Sequence, residues 1–399
     1  MQYYLKNNVF EESLNRIRFL FDEFEEVAVT FSGGKDSTIV LNLAIQVARE
    51  KNRLPIKLIF IDQEAEWDMN IDFIRTQMNR IEVTPMWFQM PLVIFNATST
   101  NEKWLKCWDD EKPDCWIREK EHYSIKENIY GTDRFAELFS AIYKHHFHGK
   151  SLAVLGGVRC EESPARRRGL TTYATYKWIT WGRKGDFKSE QHYTFYPIYD
   201  WSLTDVWKAI HDNKWEYCKI YDYFYQYGIQ IRDMRVSNVH HETAIKSLYI
   251  MQEIEKENYE RISNRISGIS TANQLKDLGF KLNKLPFMFN SFTEYRDFLL
   301  EKLITRSEDK NEFMKYVNHK RESIFMENKL IYEEYIKTFI NAILKNDYHS
   351  TTIDNFLKRY DVATYWKYKT GNKLNRQEVN NMVNLNKFYK YECNRVDKN

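Results

Sequence analysis

Glycine and proline are scarce in this chain, 13 and 7 of 399 residues, so long flexible linkers are not expected. Cysteine is scarce too. Cys107, Cys115, Cys160, Cys218 and Cys393 are scattered and odd in number, which suits a reducing cytoplasm better than a disulfide framework. No apolar run approaches the roughly 18 residues that cross a bilayer. Met1 to Phe10 is too polar for a signal peptide, so a cytoplasmic protein with no membrane partner is expected. Charge of one sign is missing as well: 59 basic and 56 acidic residues leave a net +3, a balance that neither demands nor excludes nucleic acid.

The length suggests two domains or three. Hydrophobic residues at 43% suffice for real cores, and aromatics at 16% are abundant. The chain is organised around Val27 to Ala48, VAVTFSGGKDSTIVLNLAIQVA. Val27 to Phe31 reads as a strand buried on both faces. Val40, Leu43, Ala44 and Val47 recur at helical spacing. Between them lies Ser32-Gly33-Gly34-Lys35-Asp36-Ser37. Two glycines let the backbone approach a ligand closely, and the new helix aims its free N–H groups and positive dipole end there. The serine hydroxyls and the Lys35 cation point to an anion, a phosphate chain. The pattern is not the G-x-x-x-x-G-K-[ST] loop.

Helix 13–24 precedes this unit. Residues 56–62 form a second buried strand ending in Asp62, at the sheet edge where open α/β folds bind ligands. A helix over about 68–80, a strand at 86–88, an irregular aromatic loop WLKCWDDEKPDCW, a helix over 135–145 and a fourth strand at 151–158 follow. Ser202 and Asp205 start another helix. This alternation predicts an α/β class, a doubly wound parallel sheet over residues 1–215. After about 215 no further βαβ unit occurs, and residues 216–399 read as an α-helical domain, with helices near 240–266, after Ser291, and at 310–345, 351–361 and 375–390.

The fourth strand opens into Gly156-Gly157-Val158-Arg159, then Glu161, Glu162, Ser163 and Arg166 to Arg168. Arg159 and Arg166 can converge on one oxyanion, since planar guanidinium forks suit phosphate and sulfate. Arg167 and Arg168 read equally as a solvated helix face. Residues 173–193 interleave aromatic and basic side chains, which fits a lid over a nucleotide, plain packing or contact with nucleic acid. Cys107, Cys115 and Cys160 have no zinc-like spacing and read as packed thiols. His145, His146 and His148 read as a surface helix end.

Ser-Gly-Gly-x-Asp-Ser between strand and helix resembles the signature loop of the ATP pyrophosphatases, a group that includes the phosphoadenosine phosphosulfate (PAPS) reductases. Gly157 to Arg166 resembles the G-x-R-x-x-E-S-x-x-R element of those reductases. Tyr196-Pro197-Ile198-Tyr199-Asp200-Trp201 with Asp205-Val206-Trp207 resembles their P-[LI]-x-x-W…D-V-W element. The resemblance implies an adenine nucleotide alpha hydrolase-like fold binding ATP or PAPS through Ser32, Gly33, Gly34, Lys35, Asp36, Ser37, Asp62, Gly157, Arg159 and Ser163. Lys35, Asp36, Arg159 and Arg166 are then the catalytic candidates, and Asp36 and Asp62 the candidates for Mg²⁺. The helical half resembles the extension of an IbrA-like subgroup described as co-activators of prophage gene expression, whose neighbour is often a ParB-like protein. That implies a nucleotide-sensing role, in gene regulation or phage defence, as one alternative.

A second alternative is thioredoxin-dependent sulfite formation from PAPS. The reductase tail Glu-Cys-Gly-[Leu/Ile]-His is reduced here to Glu392-Cys393. No C-x-x-C and no cysteine pair of the kind that holds an iron–sulfur cluster is present, so no cluster is expected. The reading these residues favour is an ATP pyrophosphatase-type enzyme, with the acceptor left open.

Overall fold

The computed structural model describes residues 6–357 apart from 97, 99–101, 103, 188, 232–233, 237–238, 240–247, 270–284, 305–306, 318–328, 345–346, 348–349 and 351. The chain forms two compact units, Met1–Lys276 and Asp277–Asn399.

In the first unit, α1 (Val9–Glu23) buries Leu14, Ile17, Leu20 and Phe21 on one face, the spacing of an amphipathic helix. β1 (Glu26–Thr30) follows with Val27 to Val29 fully enclosed. α2 (Lys35–Glu50) is buried nearly all round, from Ile39 to Ala48, because it is packed on several sides. β2 (Ile56–Ile61), α3 (Asp68–Met78) and β3 (Val83–Phe88) continue the alternation. A two-stranded antiparallel ribbon, β4 (Leu92–Phe95) with β5 (Trp104–Cys107), comes next. Then come α4 (Phe135–His146), β6 (Leu152–Leu155), α5 (Pro164–Thr171), β7 (Gly182–Lys184), β8 (His192–Phe195) and α6 (Leu203–Asp212).

The main sheet runs β3-β2-β1-β6-β8-β7. All neighbours are parallel except the β7–β8 edge pair. The chain steps outward from β1 to β2 and β3, then returns to lay β6 on the other side of β1. The switch point therefore falls between β1 and β6, where the register sets Ala28 against both Lys57 and Val154. A crevice opens at the carboxyl ends of such strands. The doubly wound fold expected from the alternation is the fold observed. α6 starts with the expected cap: Ser202 Oγ accepts the Asp205 N–H at 3.2 Å and Asp205 accepts the Ser202 N–H at 2.8 Å.

Two expectations are corrected. Trp104–Cys107 is not irregular; it pairs with Leu92–Phe95, so that Leu105, Cys107 and Leu92 point inward. The helical pattern over 240–266 is not one helix in its described part: α8 (Leu248–Ile254) and α9 (Lys256–Arg265) are separated at Glu255. Glu255 turns in to accept the N–H groups of Asp68 and Met69, both at 2.9 Å, and so caps α3.

The βα alternation ends near residue 215 as read, yet the first compact unit runs on to Lys276. α7 (Ile220–Gln226) sets Phe224 edge-on against Trp67, centroids 5.6 Å apart. From α9, Asn258 donates to Glu66 O at 3.0 Å and Arg265 pairs with the fully buried Glu64 at 3.1 Å. In the second unit, α10 (Phe292–Lys302), capped by Ser291, α11 (Ser307–Met314) and α12 (Lys329–Leu344) share a core of Leu299, Phe313, Tyr335, Phe339, Ile340 and Phe356. The unit has no strand among the described residues. The helix expected at 375–390 lies outside them.

Stripping Arg265 from Glu64 leaves a buried carboxylate short of a partner, a loss of about 3–5 kcal/mol. Whole-domain stability is about 5–15 kcal/mol. A fragment ending at residue 276 is therefore expected to unfold cooperatively by circular dichroism. One ending at 215, which also uncovers Trp67, is expected to show no such transition; equal melting of the two fragments would contradict this.

Candidate functional site

The switch point carries a cavity of about 700 Å³. Its floor is the turn from β1 to α2. Gly33 takes φ +73 there, a conformation open to glycine. A Cβ on Gly33 would lie 1.9 Å from Asn70 Oδ1, because Asn70 of α3 reaches under the turn and donates to Ser32 O at 3.1 Å. Ser37 Oγ donates to Gly34 O at 2.9 Å, closing the turn from within. The N-cap, Gly34, offers no side chain. The amides of Gly33, Gly34, Asp36 and Ser37 donate to no protein group among the described residues. They are the orphan donors of a helix start, and four together at a dipole's positive end make an anion cradle.

Cations stand around this cradle. Lys35 is 8% exposed; its ammonium lies 3.3 Å from Asp36 Oδ2 and 5.2 Å from the Tyr221 ring centre. Arg159, beyond β6, is buried: Nε donates to Asp36 Oδ1 at 2.6 Å and Nη1 to Glu161 at 3.0 Å. Arg166, in the first turn of α5, pairs with Glu162. Burial first, and then the charge of Arg235, hold its pKa below the usual arginine value. Gly157 makes the approach possible, since a Cβ there would lie 2.7 Å from the Asp36 carbonyl carbon. Phe135, Phe139 and Tyr143 of α4 and Ile59 to Ile61 at the end of β2 add apolar lining, and Arg183 and Lys184 of β7 add charge.

Of the residues expected from the sequence, Ser32, Gly34, Lys35, Asp36, Ser37, Gly157, Arg159 and Arg166 line this one cavity. Three do not. Gly33 turns toward α3. Ser163 caps α5, its Oγ accepting the Arg166 N–H at 3.1 Å. Asp62 is fully buried beside the cavity rather than in it. Its oxygens accept from Glu64 N at 2.9 Å, Trp87 Nε1 at 2.9 Å, Gln89 Nε2 at 3.0 Å and Arg118. Both Asp36 oxygens already face cations. An Asp36–Asp62 magnesium site does not fit these residues, and among the described residues no three His, Cys, Asp or Glu groups gather as a metal set.

The sequence reading missed residues supplied from beyond 215. Tyr221 Oη accepts the Lys35 N–H at 3.1 Å; burial, then the Asp36 charge, keep this hydroxyl protonated far above the ordinary range. Ile231, Met234, Arg235 and Val236 complete the rim. No regular pattern marks them. In the 173–193 stretch, Tyr176 packs against Phe24 at 5.0 Å and Trp181 stacks on Tyr199 at 6.0 Å, whereas Arg183 to Asp186 reach the cavity. His145 and His146 are exposed in the last turn of α4.

None of the four described cysteines lines the cavity. Burial pushes the thiols of Cys107 and Cys160 up, and that of Cys218 to about 12, the opposite of what a reactive thiolate needs. Cys393 lies outside the described residues.

The profile of the phosphoadenosine phosphosulfate reductase domain matches residues 26–227, and that of a domain of unknown function, DUF3440, matches 228–329. The uncharacterized protein YbdN of Escherichia coli (strain K12) is 27% identical over 279 residues, 66% of each chain. Sulfate adenylyltransferase subunit 2 of Akkermansia muciniphila is 21% identical over 225 residues, 53% of this chain and 64% of its own. The chain thus spans just under two thirds of the length of these two relatives. Among solved structures, the PAPS reductase from Candida auris, in a phosphate complex, aligns over 60% of this chain and 98% of its own with 12% identity and a TM-score of 0.34.

The tightest approach of backbone to backbone in the site is that of Gly157 to the start of α2. Neither partner is a flexible side chain, so Gly157→Ala forces the cradle to shift. The expected cost is about 1–3 kcal/mol of stability, read as a lower melting temperature, together with weaker binding of nucleotide in calorimetry. A variant that melts and binds like the wild type would show that the approach is looser than drawn.

Proposed function

Because the chain belongs to the phosphoadenosine phosphosulfate reductase domain family, we propose that its cradle holds the phosphates of an adenine nucleotide and that it is an enzyme of the ATP pyrophosphatase type. The observation that carries the reading is the set of unpartnered amides at the start of α2, three of which, those of Gly34, Asp36 and Ser37, belong to residues lining one cavity with Lys35, Arg159 and Arg166. The apolar lining from Phe135, Phe139 and Tyr143 suits a flat base.

In this reaction an oxyanion of the acceptor attacks the α-phosphorus of ATP. The acceptor oxygen–phosphorus bond forms, the α–β bridging bond breaks, and pyrophosphate leaves with the electron pair. The acceptor becomes an adenylate, and no proton need move. Charge builds on the leaving pyrophosphate, so donors fixed beforehand count most. The cradle amides and Lys35 meet that charge. Arg159 is oriented by Asp36 and Glu161 before the nucleotide arrives, and Tyr221 fixes the backbone of Lys35. Similarity to a sulfate adenylyltransferase subunit supports chemistry at the α–β bond. Magnesium entering with the phosphates would offset their charge; no step here depends on it.

Reduction of PAPS is the second reading, favoured by the family's own description. It requires a cysteine thiolate to take the sulfo group as a thiosulfonate, and the four described cysteines stand outside the cavity.

Lys35→Ala removes a nearly buried cation. A charge-assisted contact contributes about 1.5–3 kcal/mol, so ATP affinity by calorimetry is expected to fall about ten-fold or more, and release of AMP and pyrophosphate to fall with it. Unchanged affinity would refute the cradle. With PAPS and thioredoxin, no sulfite is expected from the wild type, and Cys393→Ser is expected to cleave ATP as the wild type does. Sulfite that vanishes in Cys393→Ser would make the reductase reading the correct one.

A further inference from the structure

The reductase-domain profile ends at residue 227, but the cavity does not. Met234 and Val236 are buried, 4% and 3% exposed, and Arg235 between them is exposed at the cavity rim. With 234 and 236 anchored in the core, 235 is the one side chain of the three left exposed. The anchor is close to the cradle: Val236 Cγ2 stands 3.8 Å from where a Gly34 Cβ would be.

The other arginines of the cavity are spoken for. Arg159 faces Asp36 and Glu161, Arg166 faces Glu162, and Arg183 faces Asp186. Arg235 has no carboxylate partner among the described residues. Its charge is felt by Arg166, whose pKa is held down by burial and then by Arg235. Arg166 and Arg235 line the same cavity, and two guanidinium groups that repel one another bind an oxyanion between them well, because the anion relieves the repulsion and accepts from both planar forks.

We propose that Arg235, with Arg166, forms a second anion subsite for a tetrahedral oxyanion group of the nucleotide other than the one held in the glycine cradle. This rests on the nucleotide reading above and deepens it. The cradle takes one phosphate of the chain, and the arginine pair selects ligands that carry a further one. The shared chemistry is a phosphate-like dianion, supplied either by the end of a 5′-polyphosphate chain or by a 3′-phosphate.

Calorimetry on the full chain with AMP, ADP, ATP and 3′,5′-ADP tests it, comparing wild type with Arg235→Gln and Arg235→Lys. The wild type is expected to prefer one ligand that carries a second anionic group over AMP, and Arg235→Gln to lose about ten-fold of that preference. Arg235→Lys is expected to restore part of it. Loss confined to ATP assigns the subsite to the chain end; loss confined to 3′,5′-ADP assigns it to the 3′ position. Arg235 is exposed, so the melting temperature of the variants should match the wild type, and a drop in it that accompanies equal loss for every ligand would mean a structural role and overturn the subsite. A wild-type preference left intact in Arg235→Gln would overturn the subsite and leave the cradle standing. No binding of any nucleotide by the wild type would overturn the parent reading and the subsite with it.

Discussion

The site depends on a helix whose start must stay open while its body is buried. Buried amides without partners are costly, so the open end of α2 is tolerated only where something holds its shape without occupying it. Asn70 grips Ser32 O from below, Ser37 closes the turn on Gly34 O, and Tyr221 takes a single amide, that of Lys35. Gly157 supplies the space above. The remaining donors are left to a ligand, and both their hydrogens and the helix dipole favour an anion there.

The charges follow the same logic. Arg159 is almost wholly enclosed, with Asp36 and Glu161 on its guanidinium and the Trp201 carbonyl within 3.4 Å. A buried ion pair adds little net stability against an apolar alternative, because desolvation offsets the attraction. What it does supply is a fixed direction. An arginine set in place by two carboxylates need not reorganise as a phosphate arrives, and such a fixed donor is worth more than a mobile one. The Asp62 network has the opposite outcome. Trp87, Gln89, Arg118 and the Glu64 amide exhaust the carboxylate, so it braces the end of β2 and has nothing left for a ligand.

Much of this was legible in the sequence where the signal was local. Val27 to Ser37 shows strand, glycine turn and helix in one line, and Leu152 to Arg159 shows a buried strand opening into arginines; both meet at the switch point as their periodicity requires. Asp62 misled because a carboxylate at a strand end looks alike whether it faces a cleft or a tryptophan. Ser163 misled because a helix cap and a phosphate contact ask for the same hydroxyl. The β4–β5 ribbon was hidden because four-residue strands pair across a gap that no short motif announces. Tyr221 and Arg235 carry no periodic or spacing signal; what brings them to the cavity is packing over long sequence distance, Tyr221 against Trp207 at 5.4 Å and Met234 and Val236 into the first core.

That division has a consequence for how such a site can change. The cradle and Arg159 sit at the ends of central strands, where register and burial leave little room for variation. Met234 to Val236 lie outside any helix or strand and are anchored by Met234 and Val236 alone, and connecting segments of that kind accept substitution more readily than the elements they join. If the cradle holds phosphates as proposed, their chemistry falls to the sheet and the choice of ligand to the segment that follows it. A profile that stops at residue 227 captures the first and leaves out the second. Ile231 and Met234 to Val236, which lie beyond that profile, are thus part of the pocket wall.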